Sequence, residues 1–324
     1  MPELTLSCAF ATSDASPEHA RIAEDLGYAR AWFYDSPALY PDVWVQLCRA
    51  AEKTTRIGLG PGVLVPSLRH PMVNAAAITT LVGIAGAERV AVAVGSGFTG
   101  RFTLGQRPMK WVDVVAYVRA LRTLLRGDQV EWEGGVLQML QPPGYGAARP
   151  IEVPFIIAAA GPKGIAAAHE LGDGVFAALM PIAGFAWSIA LTFGTVLDDG
   201  EDPGCARALA AAGHAAPVLF HFAMENRRLE LVPNGEAWAA AYAEVPVRQR
   251  HLALHDRHLT AINDRDRPFV TGELLASQGL ALTRAGWRER VELLAAQGMT
   301  EIAYQPAGPD IARELETFAA AVRR

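Results

Sequence analysis

Residues 89–100 read RVAVAVGSGFTG, a run of small apolar residues followed by a glycine-rich segment. The run predicts a buried strand, and the glycines match the GxGxxG pattern of dinucleotide-binding folds. In those folds a helix begins at once and its amides meet the pyrophosphate, whereas Gly105 and Pro108 in residues 101–110 predict no prompt helix. We therefore interpret this segment as a loop that approaches a cofactor of another kind, rather than as a dinucleotide site. A plain tight turn is the alternative.

Outward from this segment, short β-like runs alternate with helical patterns, which is the order of βαβ units in a parallel sheet. A small hairpin is expected at residues 129–140, before the fifth strand. Right-handed crossovers leave either a closed barrel or an open doubly wound sheet, and the pattern alone does not choose between them. The eight predicted strands cover residues 4–10, 29–34, 56–59, 89–94, 154–159, 174–179, 217–224 and 301–304.

The composition indicates a globular enzyme. Of the 324 residues 51% are hydrophobic, and the formal net charge of −5 argues against a nucleic-acid binder, which needs a basic face. Three widely spaced cysteines without a CxxC pair suggest neither a disulfide framework nor a zinc knuckle, so we expect a reducing cytoplasm; these are Cys8, Cys48 and Cys205. The first five residues lack the basic and apolar regions of a signal peptide.

One stretch, residues 174–197, contains no charged residue and is long enough to span a bilayer. Pro181 and Gly184 interrupt it, and its flanks are acidic rather than basic. We therefore expect a buried strand, a loop and a packed helix here rather than a membrane span.

Two further segments combine small residues with proline. Residues 158–162, AAAGP, follow a predicted strand and open a helix, so their amides suit a phosphate, although close packing of strand on helix explains them equally well. Residues 59–66, LGPGVLVP, place two glycines and two prolines in an apolar strand, which indicates a bulge or a close backbone approach. A turn is the alternative for this second segment.

Polar side chains offer two candidates for chemistry. Asp35 stands at the end of the second predicted strand, where barrel active sites lie, but it would equally cap the following turn. His251, His255 and His258 fall on one face of a predicted helix at a spacing that some metal sites use. Because no carboxylate or thiolate completes the set and arginines surround it, we expect a solvated or subunit-facing helix and no metal.

Taken together, several ordered motifs resemble the luciferase-like flavin and deazaflavin oxidoreductases, most nearly the F420-dependent methylenetetrahydromethanopterin reductase-like members. The resemblance spans nearly the whole chain. Its carriers are Asp35, residues 60–63 with Pro66, residues 69–71, Gly95-Ser96-Gly97, residues 130–134, residues 160–162, residues 172–174, residues 300–302 and residues 308–310.

This resemblance implies one (β/α)8 TIM-barrel domain over residues 1–324, with insertions after strands four and seven, which forms a homodimer. It further implies that coenzyme F420, or alternatively FMN, binds at the carboxyl ends of the strands, and that the Gly62–Val63 peptide is a non-prolyl cis bond beneath the ring. The implied cofactor-binding residues are Gly62, Val63, Gly95, Ser96, Gly97, Ala159, Ala160 and Gly161, the last two holding the phosphate.

The sequence departs from the family at the end of the second strand. Relatives that bind the deazaflavin commonly have Asp-His there, whereas this chain has Asp35-Ser36. Strand one also ends in Cys8-Ala9-Phe10, without the acid that the reductases tend to carry. The acid–base chemistry of the family is therefore not transferable, and we expect Asp35 and Ser36 to orient the ring or the substrate.

The expected function is hydride transfer from reduced coenzyme F420 to an unsaturated carbon or imine of a small organic substrate, with no nucleic acid or membrane as partner. One alternative is an FMN-dependent monooxygenase that uses O2 and a partner flavin reductase. A second is a catalytically degenerate barrel that only binds a cofactor or a protein, which the missing histidine allows.

Overall fold

The computed structural model describes residues 4–178 and 180–323. Leu179, the expected end of the sixth strand, and the first three residues, which belong to the segment tested for a signal peptide, lie outside this part. Within it the strands are β1 (Thr5–Phe10), β2 (Arg30–Phe33), β3 (Gly58–Pro61), β4 (Val92–Gly95), β5 (Val130–Trp132), β6 (Gly135–Leu137), β7 (Phe155–Ala159), β8 (Gly174–Ala177), β9 (Ser188–Phe193), β10 (Thr195–Val196), β11 (Ala281–Leu282) and β12 (Glu301–Gln305).

Helices connect most of the strands and also form much of the segment between β10 and β12. In chain order they are α1 (Ser16–Asp25), α2 (Val43–Lys53), α3 (Pro71–Ala85), α4 (Phe98–Phe102), α5 (Trp111–Arg126), α6 (Pro162–Leu171), α7 (Ala206–Ala212), α8 (Ala216–Glu225), α9 (Gly235–Ala240), α10 (Arg250–Leu254), α11 (Gly272–Ser277), α12 (Arg284–Ala296) and α13 (Ile311–Val322).

Eight strands form one sheet in the order β3-β2-β1-β12-β9-β8-β7-β4. The two ends of this order meet, because parallel bridges join Leu59 to Val90 and Leu64 to Val94. The strands β3, β4 and β8 are buried along their whole length, as expected for a parallel sheet covered by helices. The predicted (β/α)8 barrel is therefore confirmed.

The third strand carries one extra residue where the barrel closes. Between the two bridges, the third strand advances five residues while the fourth advances four. The Gly62–Val63 peptide within this step is cis, and the Gly62 amide donates to the carbonyl oxygen of Phe33 at 2.8 Å. The expected bulge and the expected cis peptide are both confirmed.

Gly60 lies where the third and fourth strands approach closely. The Ala91 amide donates to the Leu59 carbonyl at 3.1 Å, which draws the two backbones together beside Gly60. A Cβ atom on Gly60 would stand 1.8 Å from the carbonyl oxygen of Ala91. Any larger residue here would push the closing strands apart.

The hairpin expected after the fourth strand is also present. β5 and β6 pair antiparallel, with Val130 opposite Leu137 and Trp132 opposite Gly135. This confirms the insertion at that point of the barrel.

The prediction for the seventh strand was wrong. Residues 217–224 lie in α8, where Pro217, Phe220 and His221 are buried at the three-and-four spacing of a helix. Proline is favourable in the first helical turn, so it opens this helix rather than a strand. The seventh strand is instead β9, which occupies the part of the charge-free stretch where a packed helix was expected.

A second correction concerns the glycine-rich segment. The five-residue helix α4 begins at Phe98, directly after Gly97, although no prompt helix was expected. It ends at Phe102, and a turn with Gly105 at φ 67° follows before α5. Dinucleotide-binding folds have an open sheet, whereas the sheet here is closed. The closed sheet, rather than the lack of a helix, therefore distinguishes this segment from a dinucleotide site.

The chain divides into two compact units. The first holds the described residues up to Arg101, Arg107–Leu191 and Leu294–Ala303, which include most of the barrel. The second holds Phe102–Gln106, Thr192–Leu293 and the residues from Tyr304 onward, and β10 pairs there with β11. Its own core is built around Phe220, Trp238 and Tyr242. The single domain expected from the sequence stays a prediction.

Among the described residues, no helix is both long enough and apolar enough to cross a bilayer.

We predict that Gly60→Ala lowers the free energy of unfolding by about 2–3 kcal/mol, because its methyl group would overlap a backbone oxygen that neighbouring strand pairing holds in place. Urea unfolding followed by circular dichroism measures this. Gly161→Ala is the matched control: its Cβ meets no atom within 4 Å, and exchanging a glycine N-cap for alanine should lower stability by less than about 1 kcal/mol. Equal unfolding midpoints for the two variants would contradict the close approach.

Candidate active site

The predicted site residues lie at the carboxyl ends of four strands. Asp35 and Ser36 follow β2, the Gly62–Val63 step follows β3, and the segments beginning at Gly95 and Ala159 end β4 and β7. These strands are consecutive around the barrel and parallel, so their carboxyl ends share one rim. The structure therefore brings the predicted set to the end of the barrel where active sites of this fold lie.

Asp35 is held by an arginine that the sequence analysis did not connect with it. One guanidinium nitrogen of Arg69 donates to both carboxylate oxygens of Asp35, at 2.8 and 2.7 Å. A second nitrogen of Arg69 donates to Asp42 at 2.8 Å. The Asp35 side chain is 1% exposed and that of Arg69 is 12% exposed, so this is a largely buried ion pair.

Burial is unfavourable for the charged forms of both Asp35 and Arg69. Burial raises the pKa of Asp35, and the charge and hydrogen bond of Arg69 offset only part of that increase. Burial alone would lower the pKa of Arg69, but the two neighbouring carboxylates raise it overall. The Val65 amide also faces the Asp35 carboxylate, at 3.5 Å. Asp35 thus joins the end of the second strand to the segment that follows the bulge.

A chain of hydrogen bonds fixes the backbone of Arg69 from behind. The Tyr117 hydroxyl donates to the Arg69 carbonyl at 2.9 Å, and Asn74 Nδ2 donates to that hydroxyl at 2.5 Å. Trp44 Nε1 in turn donates to Asn74 Oδ1 at 2.9 Å. Helices α2, α3 and α5 therefore all contribute to the position of this arginine.

Ser36 is buried and begins the turn after the second strand. Its carbonyl oxygen accepts hydrogen bonds from the amides of Leu39 and Tyr40, at 2.8 and 3.0 Å. These backbone bonds place no demand on the side chain, and an orienting role for the Ser36 hydroxyl stays a prediction.

The glycines at the end of the fourth strand make room for the bulged third strand. A Cβ on Gly95 would lie 2.9 Å from Val63 Cγ2, and a Cβ on Gly97 would lie 2.5 Å from Val65 Cγ1. Gly97 also has a φ of 86°, which favours glycine. Val63 is half-exposed between buried neighbours, so the bulge turns its side chain out of the core. Packing alone accounts for these glycines, and their contact with a cofactor stays a prediction.

The start of α6 has the chemistry of an anion site. Ala159 is buried, Ala160 is exposed, and Gly161 is the N-cap residue, with no side chain that caps the helix. The first amides of a helix carry partial positive charge, and here no side chain neutralises them. A Cβ at Gly161 would meet nothing within 4 Å, so open space adjoins these amides.

A histidine that no sequence motif marked lies beside the end of β1. The ring of His19, in α1, stands 5.9 Å from the ring of Phe10, the last residue of that strand. Burial lowers the pKa of His19, with Glu18 opposing the shift, so the imidazole is neutral at pH 7. Imidazole is therefore present near this rim, although none follows Asp35 in sequence.

A cavity of about 340 Å³ lies at the opposite, amino-terminal ends of the strands. Arg30 lies there over the rings of Trp32 and Trp187, at 5.4 and 5.2 Å from their centroids. Glu301 accepts hydrogen bonds from both indoles, at 3.0 and 2.8 Å. Because this end of such barrels generally serves stability, we do not place the active site there.

Comparison with known proteins agrees with this architecture. The family model described as luciferase-like monooxygenase matches residues 11–303. A curated relative, the 5,10-methylenetetrahydromethanopterin reductase of Archaeoglobus fulgidus, is 32% identical over 164 residues, which are 48% of this chain and 47% of the relative. The F420-dependent glucose-6-phosphate dehydrogenase of Beutenbergia cavernae is 35% identical over 149 residues, 43% of this chain and 41% of the relative. The matches thus span about half, or less, of these relatives.

Solved structures resemble the chain over nearly its whole length. The coenzyme F420-dependent tetrahydromethanopterin reductase from Methanopyrus kandleri has a TM-score of 0.65 at 18% identity, covering 99% of this chain and 98% of that one. The oxygenating constituent of 3,6-diketocamphane monooxygenase from Pseudomonas putida, in complex with FMN, has a TM-score of 0.60 at 12% identity, with 99% and 98% covered. At these identities the similarity shows the fold. Because the family model matches most of its residues, the chain belongs to the luciferase-like monooxygenase family.

Proposed function

We propose that this protein is an oxidoreductase that uses reduced coenzyme F420 to transfer a hydride to an unsaturated carbon or imine of a small organic substrate. The observation that carries the choice of cofactor is the 35% identity, over 149 residues, to an F420-dependent dehydrogenase. A reductase relative at 32% identity supports the direction of transfer. The homodimer expected from the sequence stays a prediction.

The rim has the features that such a cofactor needs. The uncapped start of α6, with open space at Gly161, suits the cofactor phosphate. The bulge at Gly62–Val63, with Val63 turned out of the core, and the Gly95–Gly97 segment would border the ring and its side chain. When bound, the deazaflavin would supply the hydride, and the chain would hold the ring in position.

Within this site we assign Asp35 to positioning. Its carboxylate is 1% exposed and is occupied by Arg69, so it is not free to exchange protons with a substrate. Through Arg69 and the Val65 amide it fixes the end of β2 against the bulged segment. Ser36 would then orient the ring or the substrate from the adjoining turn.

An FMN-dependent monooxygenase is the second candidate, and the description of the family model together with an FMN-bound structural neighbour favours it. It would require O2 and a partner flavin reductase. A degenerate barrel that binds a cofactor without turnover is the third. O2 consumption distinguishes the second candidate, and binding without turnover across a substrate panel distinguishes the third.

We predict that purified apoprotein binds coenzyme F420 more tightly than FMN in parallel fluorescence titrations. FMN binding that is tenfold tighter, equivalent to about 1.4 kcal/mol, would overturn the proposal and make the monooxygenase the leading candidate.

We predict that Gly161→Glu weakens coenzyme F420 binding by about tenfold or more, because a carboxylate at the start of α6 repels an anionic tail and neutralises the positive end of the helix. Gly161→Gln is the matched control of nearly equal size and no charge, and it should weaken binding much less. Both variants should fold, since a side chain here enters open space, and their stability should differ from that of the wild type by no more than the change of an N-cap residue, about 1 kcal/mol. Unchanged affinity in the Glu variant would show that the cofactor phosphate does not bind at the start of this helix.

We predict that Asp35→Asn lowers the free energy of unfolding by about 3 kcal/mol, because it removes the buried carboxylate that faces Arg69. Asp42→Asn is the control: it removes the exposed partner of the same arginine, and asparagine still caps α2, so the loss should stay below about 1 kcal/mol. A stable Asp35→Asn variant whose pH–rate profile lacks one limb would instead make Asp35 a proton-transfer group.

A further inference from the structure

Three histidines meet in the second unit, two of them close together in sequence and the third on another helix. His221 lies on α8, while His255 and His258 follow the short helix α10. One ring nitrogen from each lies within 4.8 Å of the others. The three residues are 4%, 6% and 6% exposed, so they are not the solvated or subunit-facing helix that the sequence predicted.

The prediction that the three histidines of this segment share one face of a helix was wrong. The helix α10 ends at Leu254, before His255 and His258. His251, the first of them, is half-buried and contributes no atom to the group. Its place is taken by His221, which the sequence analysis assigned to a strand. Spacing along one segment therefore could not show the third member.

Within the part of the chain that the structure describes, three ring nitrogens of His221 and His255 lack ordinary partners. Among the described residues, both ring nitrogens of His221 and Nδ1 of His255 are buried without a hydrogen bond of normal geometry. Burial of a polar group without a partner is unfavourable by roughly 1–3 kcal/mol in mutational data. A bound metal ion would satisfy the nitrogens that present a lone pair.

Burial favours the neutral form of these imidazoles. Burial, followed by the neighbouring histidine His255, lowers the pKa of His221 to about 3, and the backbone of Leu254 opposes the shift only in part. Burial and His251 lower the pKa of His255 to about 4, and the pKa of His258 also lies well below its ordinary value. Neutral imidazole is the form that binds metals, so burial does not oppose a site that the positions of the three nitrogens define.

Ring packing alone is the simplest competing explanation. The rings of His221 and His258 stack at 5.3 Å with a 12° interplanar angle, and His255 meets them edge-on at 5.1 and 5.0 Å. Phenylalanine would pack in the same way without burying nitrogen atoms. The choice of three imidazoles therefore calls for a role for their nitrogens.

A buried carboxylate is connected to the histidines through the ring of Trp238. The ring of Trp238 lies 5.6 Å from that of His221, and its Nε1 donates to Asp266 at 2.7 Å. Asp266 also accepts from Tyr242 at 2.7 Å and is 2% exposed. Its negative charge, one ring away, would partly offset a cation placed among the imidazoles.

We propose that His221, His255 and His258 bind one divalent transition-metal ion of the zinc class, with water in the fourth position. Three imidazoles are a known ligand set for zinc, and nickel and copper accept the same donors. Bonds of about 2.0–2.1 Å in a tetrahedron place the nitrogens roughly 3.3 Å apart, so binding draws the group slightly together. The ion links α8 to the segment after α10 and stabilises the second unit, independently of the cofactor site.

The test is a titration of tag-free, chelator-treated full-length protein with ZnCl2, followed by calorimetry and thermal unfolding. We expect one zinc per chain and a rise in Tm of roughly 5 °C at saturating metal. His255→Phe and His258→Phe keep the ring packing and remove one ligand each, so affinity should fall about 100-fold. His251→Phe, on the same segment but outside the group, should bind like the wild type.

Three results would overturn the proposal: no zinc binding by the wild type, unchanged binding in the two phenylalanine variants, or an equal loss in the His251 control. If the phenylalanine variants do not fold, the visible spectrum of the wild type with CoCl2 decides. Intense bands of four-coordinate cobalt support the site, and the weak spectrum of hydrated cobalt contradicts it.

Discussion

The barrel depends on how its third strand meets its fourth. Those strands are joined by two bridges that enclose one extra residue, and this contact closes the sheet whose other neighbours follow one another in a continuous order. The close approach at Gly60 and the space left by Gly95 and Gly97 all serve this contact. The same constraint turns Val63 away from the core, so the closure of the barrel and the shape of the rim have one cause.

Most of the barrel could be predicted from sequence because its strands are short apolar runs separated by helices with strong boundaries. The seventh strand could not, since Pro217 to Met224 are as apolar as a buried strand and only their burial spacing shows a helix. Within the charge-free stretch, Ser188–Phe193 had no alternation that separates a strand from a buried helix. Short apolar runs are ambiguous in this way wherever both faces are covered.

The site was predictable only where one contiguous segment carries it. The bulge at Gly62–Val63 and the uncapped start of α6 are properties of a few successive residues, and their sequences mark them. The pairing of Asp35 with Arg69 joins residues 34 positions apart, and the histidine group joins positions 221 and 255, which have no shared pattern along the chain. Contacts of this kind arise from the barrel and its insertion, so a single sequence does not contain them in readable form.

The barrel's seventh and eighth strands are neighbours in the sheet, yet the Thr300 amide that donates to the Ser188 carbonyl is encoded 112 residues later. A ribosome adding about 5–20 residues per second needs roughly 5–20 s to make that interval. During this time β9 presents an unpaired edge, the kind of surface on which strands of separate chains associate. Because the intervening segment has its own core, it can collapse as it emerges, and the nascent chain then spends this interval partly folded rather than extended.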